Sequence, residues 1–448
     1  MEIDIEKKER YQVMLEKIKK NIFIDNALYP MFDVKRGLRN ADGTGVLAGL
    51  TRICNVHGYI ISEFERVPCD GILYYRGINV VDIINGCNND DRLGFEETAY
   101  LLLCGDLPSP TELYSFVDDL HEYGTLPNNF VEDMIMKAAS PNIMNVMARS
   151  VLALYSYDDN AEDTSLETLF KQSMSLISLM PSIMVTAFQV KKRVYGGESL
   201  LLHHPDTSLS IAENILSMLR TDRRYTKEEA RILDRCLIAH ADHGGGNNST
   251  FVCRAISTSG TDTYSAVSAG IGALKGPKHG GANIKVMEML SYMKEEISDV
   301  NDDEEITAFL KKLLDKEAGD RSGLIYGTGH AVYTVSDPRV GIIKREAGDL
   351  FTENGLEDDY KLLNAVERIA PVLLSHKKGV CANVDLYSGL VYKMLGIHED
   401  LFTPLFAVAR VAGWCAHRIE EILTGSRIMR PAYRSVSEGR FYTKLEER

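Results

Sequence analysis

The alternation of apolar and polar residues along this chain has a helical period through most of its length. Residues 109–112 (Ser-Pro-Thr-Glu) combine a capping box with a proline at the first helical position. Residues 226–229 (Thr-Lys-Glu-Glu) form a second capping box ahead of an amphipathic segment. The dipeptides at 337–338 (Asp-Pro) and 403–404 (Thr-Pro) are typical of two further helix starts.

Strand-like patterning is confined to two stretches near the N-terminus. Residues 53–61 and 71–80 contain β-branched and aromatic side chains in short runs, so we expect strands or a hairpin there. No internal repeat and no low-complexity tract interrupts the remainder of the sequence. The pattern therefore predicts a mainly α protein with few short β-strands near the N-terminus.

Composition and charge limit the classes of partner. A chain of 448 residues, 45% hydrophobic and 25% charged, is ordinary for a globular protein of two or three domains. Its net charge of −14 argues against binding to nucleic acid or to an anionic membrane surface, because both require a basic footprint. Anionic substrates would therefore need local cationic groups to hold them.

The N-terminus and the cysteines predict a cytoplasmic protein. Residues 1–8 are polar and partly acidic, without the apolar core of a signal peptide. No run of about 18 apolar residues predicts a membrane span. The eight cysteines are scattered and form no CxxC pair, which indicates reduced thiols rather than a disulfide framework or a zinc site.

Three short segments carry the residues best suited to chemistry. His279 lies in residues 276–283 (GPKHGGAN), His330 ends 327–330 (GTGH), and Asp385 ends 383–385 (NVD). Glycine beside a histidine permits close approach of a ligand to the backbone. An aspartate can act as a base while imidazoles donate hydrogen bonds to developing oxyanions, so this set could move a proton from carbon to oxygen.

Several other polar residues have competing interpretations. Arg410 lies on the apolar face of a predicted helix, where its residue pattern favours a structural ion pair with an internal carboxylate over a carboxylate-binding role. His240 falls on a buried stripe and is predicted to be a satisfied core histidine, whereas His243 lies just beyond it in a glycine-rich loop. The pair lacks a convincing third ligand, so we expect no metal site.

The order of these motifs along the chain resembles the citrate synthase family. The resemblance includes 37–46, 74–78, 101–108 and His240-Ala241-Asp242-His243, then the three segments above, Asp337-Pro338-Arg339 and the Arg410 helix. It implies a mostly α homodimer with a large helical domain (1–276 and 391–448) and a smaller inserted domain (277–390). The active site would lie in the cleft between the two domains, and closure would exclude water.

The resemblance also implies a role for each residue. Asp385 would take a methyl proton from acetyl-CoA, His279 would donate to the enolate oxygen, and His330 would polarise and protonate the oxaloacetate carbonyl. Citryl-CoA would then be hydrolysed to citrate and CoA, without a cofactor or metal. The positions that match oxaloacetate-binding residues are His243, Arg339, Arg410 and, supplied across the dimer interface, Arg430. If the resemblance holds, the anion that pairs with Arg410 is the substrate, and this replaces the interpretation of Arg410 as part of a structural ion pair.

For CoA, the resemblance points to a backbone-rich segment and to basic residues before Asp385. The matching positions are Ile325, Tyr326, Gly327, Gly329, Lys377, Lys378 and Asn383. The sequence departs from many relatives after His330, where residues 331–334 (Ala-Val-Tyr-Thr) contain no basic residue for the CoA phosphates.

Alternative functions remain open at this level. A 2-methylcitrate synthase would use propionyl-CoA with the same catalytic residues, and one methylene discriminates by only about 1–3 kcal/mol. A metal-dependent hydrolase could use His240, Asp242 and His243, and a non-catalytic helical scaffold would show no turnover. The sequence identifies no effector site for NADH, ATP or 2-oxoglutarate and does not indicate assembly beyond a dimer.

Overall fold

The computed structural model describes residues 5–40, 43–62, 65–376, 379–425 and 427–448. Within these ranges the helices are α1 (Ile5–Ile22), α2 (Leu28–Met31), α3 (Val80–Asn89), α4 (Phe95–Cys104), α5 (Pro110–Glu122), α6 (Ile143–Leu154), α7 (Leu166–Tyr195), α8 (Ile211–Leu219), α9 (Lys227–His240), α10 (Asn248–Ser257), α11 (Thr263–Leu274), α12 (Ala282–Glu296), α13 (Asp303–Leu314), α14 (Pro338–Glu353), α15 (Glu357–Leu373), α16 (Asp385–Met394) and α17 (Phe402–Leu423). The strands are β1 (Cys54–Ser62), β2 (Glu65–Tyr75) and β3 (Ile78–Asn79). The prediction of a mainly α protein is confirmed.

The predicted helix starts are confirmed, with one difference in capping. Capping boxes open α5 at Ser109 and α9 at Thr226, and the side chain of Asp337 accepts the Arg339 N–H at the start of α14. Helix α17 instead begins at Phe402 without a side-chain cap. The hydroxyl of Thr403 donates to the Gly280 carbonyl, at 2.7 Å, and so ties α17 to the segment that carries His279.

The predicted strands form an antiparallel hairpin that lies against a segment of the site. β1 pairs with β2 from Cys54 opposite Tyr75, and β3 adds a short third strand. Two of its glycines have no room for a side chain. A Cβ on Gly58 would lie 2.7 Å from the Val332 carbonyl oxygen, and one on Gly71 would lie 2.1 Å from that of Ser336. The hairpin therefore contacts the residues that directly follow His330.

Helix α17 forms the centre of the core. Almost all of its residues are buried, and it packs against α4, α7, α9, α10 and α11. Buried at 0% exposure on this helix, Trp414 fills the space over Gly270 of α11. Helix α7 is long and apolar enough to cross a membrane by length and composition, but most of it is buried inside the protein.

The described chain forms two compact units. The first contains Met1–Ala48 and Met429–Arg448, and within it the Arg434 guanidinium lies 4.1 Å from the centre of the Phe32 ring. The second contains Gly49–Ile428 and holds the helical core. The predicted division into 1–276 with 391–448 and an inserted 277–390 is a different partition, and it stays a prediction.

We predict that Gly413 is required for the close contact between α17 and the end of α9. A Cβ there would lie 2.5 Å from both the Ala241 carbonyl oxygen and Asp242 Oδ1. Glycine to alanine inside a helix ordinarily stabilises by about 0.5–1 kcal/mol, whereas overpacking costs about 1–3 kcal/mol. Gly413→Ala should therefore lower the Tm by several degrees. The matched control is Gly86→Ala in α3, where a Cβ meets nothing within 4 Å. Equal Tm values for both variants would contradict the contact.

Candidate active site

Main-chain and side-chain hydrogen bonds join two of the predicted motifs. Thr328 and Ala382 form an isolated antiparallel bridge, and the Gly329 N–H donates to the Cys381 carbonyl at 2.7 Å. Asn383 donates its own N–H to the Gly327 carbonyl and its Nδ2 to the Gly329 carbonyl, both at 2.9 Å. The segment that ends in His330 is therefore held beside the segment that ends in Asp385.

The protonation of His330 is fixed by its neighbours. Its Nδ1 accepts the main-chain N–H groups of Val332 and Tyr333, each at 3.0 Å. A nitrogen that accepts two N–H groups carries no proton, so the proton of the neutral ring is on Nε2. The Tyr333 ring also stacks on the imidazole, with ring centres 4.5 Å apart and planes 24° apart. His330 is thus oriented to donate from Nε2.

His279 lies in the connection between α11 and α12 and is held by the start of α10. Its Nε2 is 3.1 Å from both Asn247 Oδ1 and Ser249 Oγ, and the Ser249 N–H points to it at 3.4 Å. Burial and then the charge of Arg410 lower the pKa of His279 to about 4, so the ring is neutral near pH 7. Asn247 Oδ1 can only accept and would favour a proton on Nε2, whereas Ser249 offers two donors; in the tautomer in which Nε2 accepts from Ser249, Nδ1 carries a proton that a substrate oxygen could accept.

His243 is buried beside these groups. Its ring centre lies 5.0 Å from that of His330 and 5.6 Å from that of Tyr333, both edge-on. Burial, followed by the charge of Arg339, holds the pKa of His243 well below its usual range. Among the described residues its Nε2 has no hydrogen-bond partner although it is buried. A neutral imidazole with an unpartnered nitrogen can serve a bound ligand.

Arg410 is the least satisfied charge in the site. It is fully buried on α17, its Nε donates to the His240 carbonyl at 2.7 Å, and its guanidinium lies 4.7 Å from the Phe406 ring centre. Both terminal nitrogens are buried and have no hydrogen-bond partner among the described residues. Burial lowers the pKa of Arg410, and the Asp242 charge is the strongest charge opposing that effect. No carboxylate among the described residues bonds to the Arg410 guanidinium, so this cation is able to receive an external anion.

Arg339 is rigidly oriented by one carboxylate. Its Nε and Nη2 donate to the two oxygens of Asp337, at 2.9 and 2.7 Å, in a bidentate pair. Burial would lower the pKa of Arg339, but the adjacent carboxylate outweighs burial and raises it. The remaining terminal nitrogen, Nη1, is then the one that can meet a second anion.

Asp385 begins α16, where Asn383 Oδ1 accepts its main-chain N–H at 3.0 Å. Burial raises the pKa of Asp385 to about 6, and the charges of Arg339 and Arg410 only partly oppose that shift. A carboxylate with this pKa is mostly ionised at neutral pH and is a stronger base than an ordinary aspartate. It can therefore accept a proton from a weak acid.

The predicted CoA-binding residues differ in whether the structure describes them and in whether their main-chain carbonyls are already hydrogen-bonded. The carbonyls of Ile325, Gly327 and Gly329 already accept hydrogen bonds within the protein, from Thr328 Oγ1 and the two Asn383 donors. The carbonyl oxygens of these three residues are therefore engaged within the protein before any ligand binds. Lys377 and Lys378 lie outside the described residues. Arg430 is exposed and belongs to the first compact unit, whereas the other candidate residues lie in the second.

Some residues that shape the site were not identified from the sequence. Asn247 and Ser249 hold His279, and Tyr333 holds His330. Asn247 could have been found as the cap of α10, but the contact with His279 spans 32 residues and leaves no local signal. His240 is buried in the core as predicted, but it is not fully satisfied: Nδ1 bonds to the Cys236 carbonyl, whereas Nε2 has no hydrogen-bond partner among the described residues. Among the residues described, no cluster of three His, Cys, Asp or Glu side chains could hold a metal ion.

Buried arginines, neutral imidazoles and a carboxylate of raised pKa define the site of an enzyme that binds an anion and moves a proton. A family model described as citrate synthase, C-terminal domain, matches residues 40–432. The chain belongs to the citrate synthase family.

Individual relatives support this assignment. The citrate synthase of Synechocystis sp. is 34% identical over 387 residues, covering 86% of this chain and 88% of that protein. The 2-methylcitrate synthase 2 of Corynebacterium glutamicum is 31% identical, and the match covers 93% of this chain and 98% of that protein. The citrate synthase of Thermoplasma acidophilum, solved as a ternary complex with carboxymethyl coenzyme A and oxaloacetate, is 26% identical with a TM-score of 0.76, covering 93% and 99%. That of Thermotoga maritima has a TM-score of 0.73 at 28% identity, covering 93% and 99%.

Proposed function

We propose that this chain condenses acetyl-CoA with oxaloacetate and hydrolyses the resulting citryl-CoA to citrate and CoA. The observation that carries the proposal is the buried Arg410, whose two terminal nitrogens have no partner among the described residues. Oxaloacetate is a dianion, and bidentate guanidinium–carboxylate pairs are among the strongest hydrogen-bonded contacts in proteins. Arg339 and His243 supply further donors to the same ligand.

The first chemical step needs a base and an oxyanion donor together. The methyl group of a thioester is a very weak acid, so a carboxylate alone cannot remove its proton at a useful rate. Asp385 takes the proton, while the Nδ1–H of His279 donates to the thioester oxygen as negative charge develops there. A preorganised donor of this kind stabilises the transition state by about 3–4 kcal/mol.

The second step is attack of the enolate carbon on the ketone of oxaloacetate. Nε2–H of His330 donates to the ketone oxygen and protonates it as the carbon–carbon bond forms. The two main-chain donors on His330 Nδ1 support this role, because they keep the proton on the nitrogen that faces away from them. Ile325, Tyr326, Gly327, Gly329 and Asn383 are proposed to bind CoA.

A second candidate is 2-methylcitrate synthase activity with propionyl-CoA. The observation in its favour is that two relatives named 2-methylcitrate synthase match 93% and 85% of this chain at 31% identity. One additional methylene changes binding by about 1–3 kcal/mol, so the two activities can coexist in one site.

The proposal includes an assembly and a location. We propose a homodimer in which Arg430 completes the oxaloacetate site of the partner, residues 277–390 move as a closing domain, and the protein works in the cytoplasm without a metal. Arg430 is exposed within one chain, which leaves it available to another. All eight cysteines are unpaired in the structure, which supports a reducing compartment.

The activity is tested by measuring CoA release with a thiol reagent. Purified protein receives oxaloacetate with acetyl-CoA and, separately, with propionyl-CoA. We expect fast release with acetyl-CoA, and an Asp385→Asn control that releases almost none but still gains thermal stability from oxaloacetate. A propionyl-CoA preference would move the assignment to the second candidate. Absence of release with either substrate would reject both, and near-normal turnover by Asp385→Asn would reject this base.

The raised pKa of Asp385 predicts the pH profile. Only the ionised carboxylate accepts a proton, so kcat/KM for acetyl-CoA should fall about tenfold per pH unit below its pKa of about 6. His279, with a pKa of about 4, stays neutral over that range and adds no limb there. Initial rates between pH 4.5 and 8 measure the midpoint. A rate that stays constant down to pH 4.5 would show that the base in this step does not have the raised pKa assigned to Asp385.

The shared site predicts complementation between two inactive variants. Arg410→Ala and Arg430→Ala should each lose oxaloacetate binding. In a mixed dimer, the site that uses Arg410 of the Arg430→Ala chain receives Arg430 from the Arg410→Ala chain. That site therefore has both arginines, whereas the other site has neither. Random re-pairing of equal amounts should therefore restore about a quarter of wild-type activity, by two-fold symmetry. Confirmed mixed dimers without any recovery would exclude an Arg430 contribution across the interface.

A further inference from the structure

A line of buried polar side chains lies behind the proposed oxaloacetate site and takes no part in the steps above. It starts at Arg254 of α10, continues through His417 of α17, and ends at Asp242, the residue before His243. Arg254 Nη1 is 2.8 Å from His417 Nδ1, and His417 Nε2 is 3.2 Å from Asp242 Oδ2. His417 and Asp242 are completely buried, and Arg254 nearly so.

The direction of each hydrogen bond in this line can be deduced. A guanidinium can only donate, so His417 Nδ1 must accept from Arg254 and cannot carry a proton. The proton of the ring is therefore on Nε2, which donates to Asp242. Arg254 is held in turn by Glu420 and Glu421, whose Oε2 atoms lie 2.7 and 2.6 Å from its terminal nitrogens. Each hydrogen bond in this line is therefore donated in the same direction, from Arg254 to His417 and from His417 to Asp242.

Asp242 connects this line to the residues that face the ligand. Its Oδ2 also accepts the Gly244 N–H at 2.9 Å, which closes a turn around His243. Its carbonyl accepts from the Tyr75 hydroxyl at 3.1 Å. The carboxylate packs against Gly413, one helical turn after Arg410, and its charge is the one that acts most strongly on Arg410. Although burial opposes ionisation, the hydrogen bond from His417 and the charge of Arg410 hold the pKa of Asp242 below its usual range.

We infer that His417 is a positioning residue for oxaloacetate binding: by donating to Asp242 it fixes the turn that presents His243 and anchors the carboxylate that packs against Gly413, one helical turn from Arg410. This inference rests on the proposed function, because it assigns His243 and Arg410 to the dianion. His417 itself touches no substrate. Its effect should therefore appear in the KM for oxaloacetate and much less in kcat or in the KM for acetyl-CoA.

Two substitutions of similar size test the two hydrogen bonds of the His417 imidazole one at a time. In His417→Gln, the amide nitrogen reaches the place of Nε2 and keeps the donor to Asp242, while the acceptor for Arg254 is lost. In His417→Asn, the amide oxygen takes the place of Nδ1 and keeps the acceptor for Arg254, while the donor to Asp242 is lost. Each variant gives up one buried hydrogen bond, so both should lose a comparable amount of thermal stability.

We expect His417→Asn to raise the KM for oxaloacetate on the order of 10-fold and His417→Gln to raise it less than about 3-fold, since only the asparagine variant loses the donor that holds Asp242. The oxaloacetate-induced rise in Tm should shrink in the same order. Equal effects in both variants, or a change in kcat alone, would overturn the inference and leave His417 a purely structural residue.

A second substitution keeps the test decisive if His417→Asn does not fold. Asp242→Asn keeps an acceptor for the Gly244 N–H but removes the charge and presents a donor to His417, so oxaloacetate binding should again weaken. Unchanged binding would overturn the inference. Wild-type protein that binds oxaloacetate without releasing CoA would reject the proposed function alone, because the binding comparison still decides the role of His417.

Discussion

The structure depends on a buried cation, Arg410, that has no bonded anion among the described residues. Removing the Arg410 guanidinium from water costs several kcal/mol unless an opposite charge compensates it. The fold compensates only in part, through the His240 carbonyl and the charge of Asp242. Two terminal nitrogens are left without a partner among the described residues. The burial of this cation lowers stability, and the proposed dianionic substrate would supply the partner for its terminal nitrogens.

Protonation around this cation is decided by neighbours that can only donate. Main-chain N–H groups place the proton of His330 on Nε2, and a guanidinium does the same for His417. Burial and nearby arginines keep His243 and His279 neutral. The positive charge of this region is therefore on arginines, and the neutral imidazoles are available as hydrogen-bond donors. Asp385, with a pKa near 6, is then a base strong enough for carbon acids and still ionised at neutral pH.

Local patterns predicted the helices well because capping boxes and prolines act within one turn. The starts of α5, α9 and α14 follow from such residues, whereas β2 begins several residues before the predicted strand, in a stretch without an alternating pattern. The motif residues His330 and Asp385 were also identifiable from their sequence settings. Ser249 and His417 were not, since each acts on a residue far along the chain.

The sequence by itself determined the class of fold, the chemical groups available and, through the order of its motifs, the family. It could not decide whether Arg410 has an internal partner, and its residue pattern pointed to an ion pair that is absent among the described residues. Only tertiary packing decides that question, because desolvation and hydrogen bonding are set by groups brought together from distant positions. The Asp242–His417 contact, across 175 residues, is such a case.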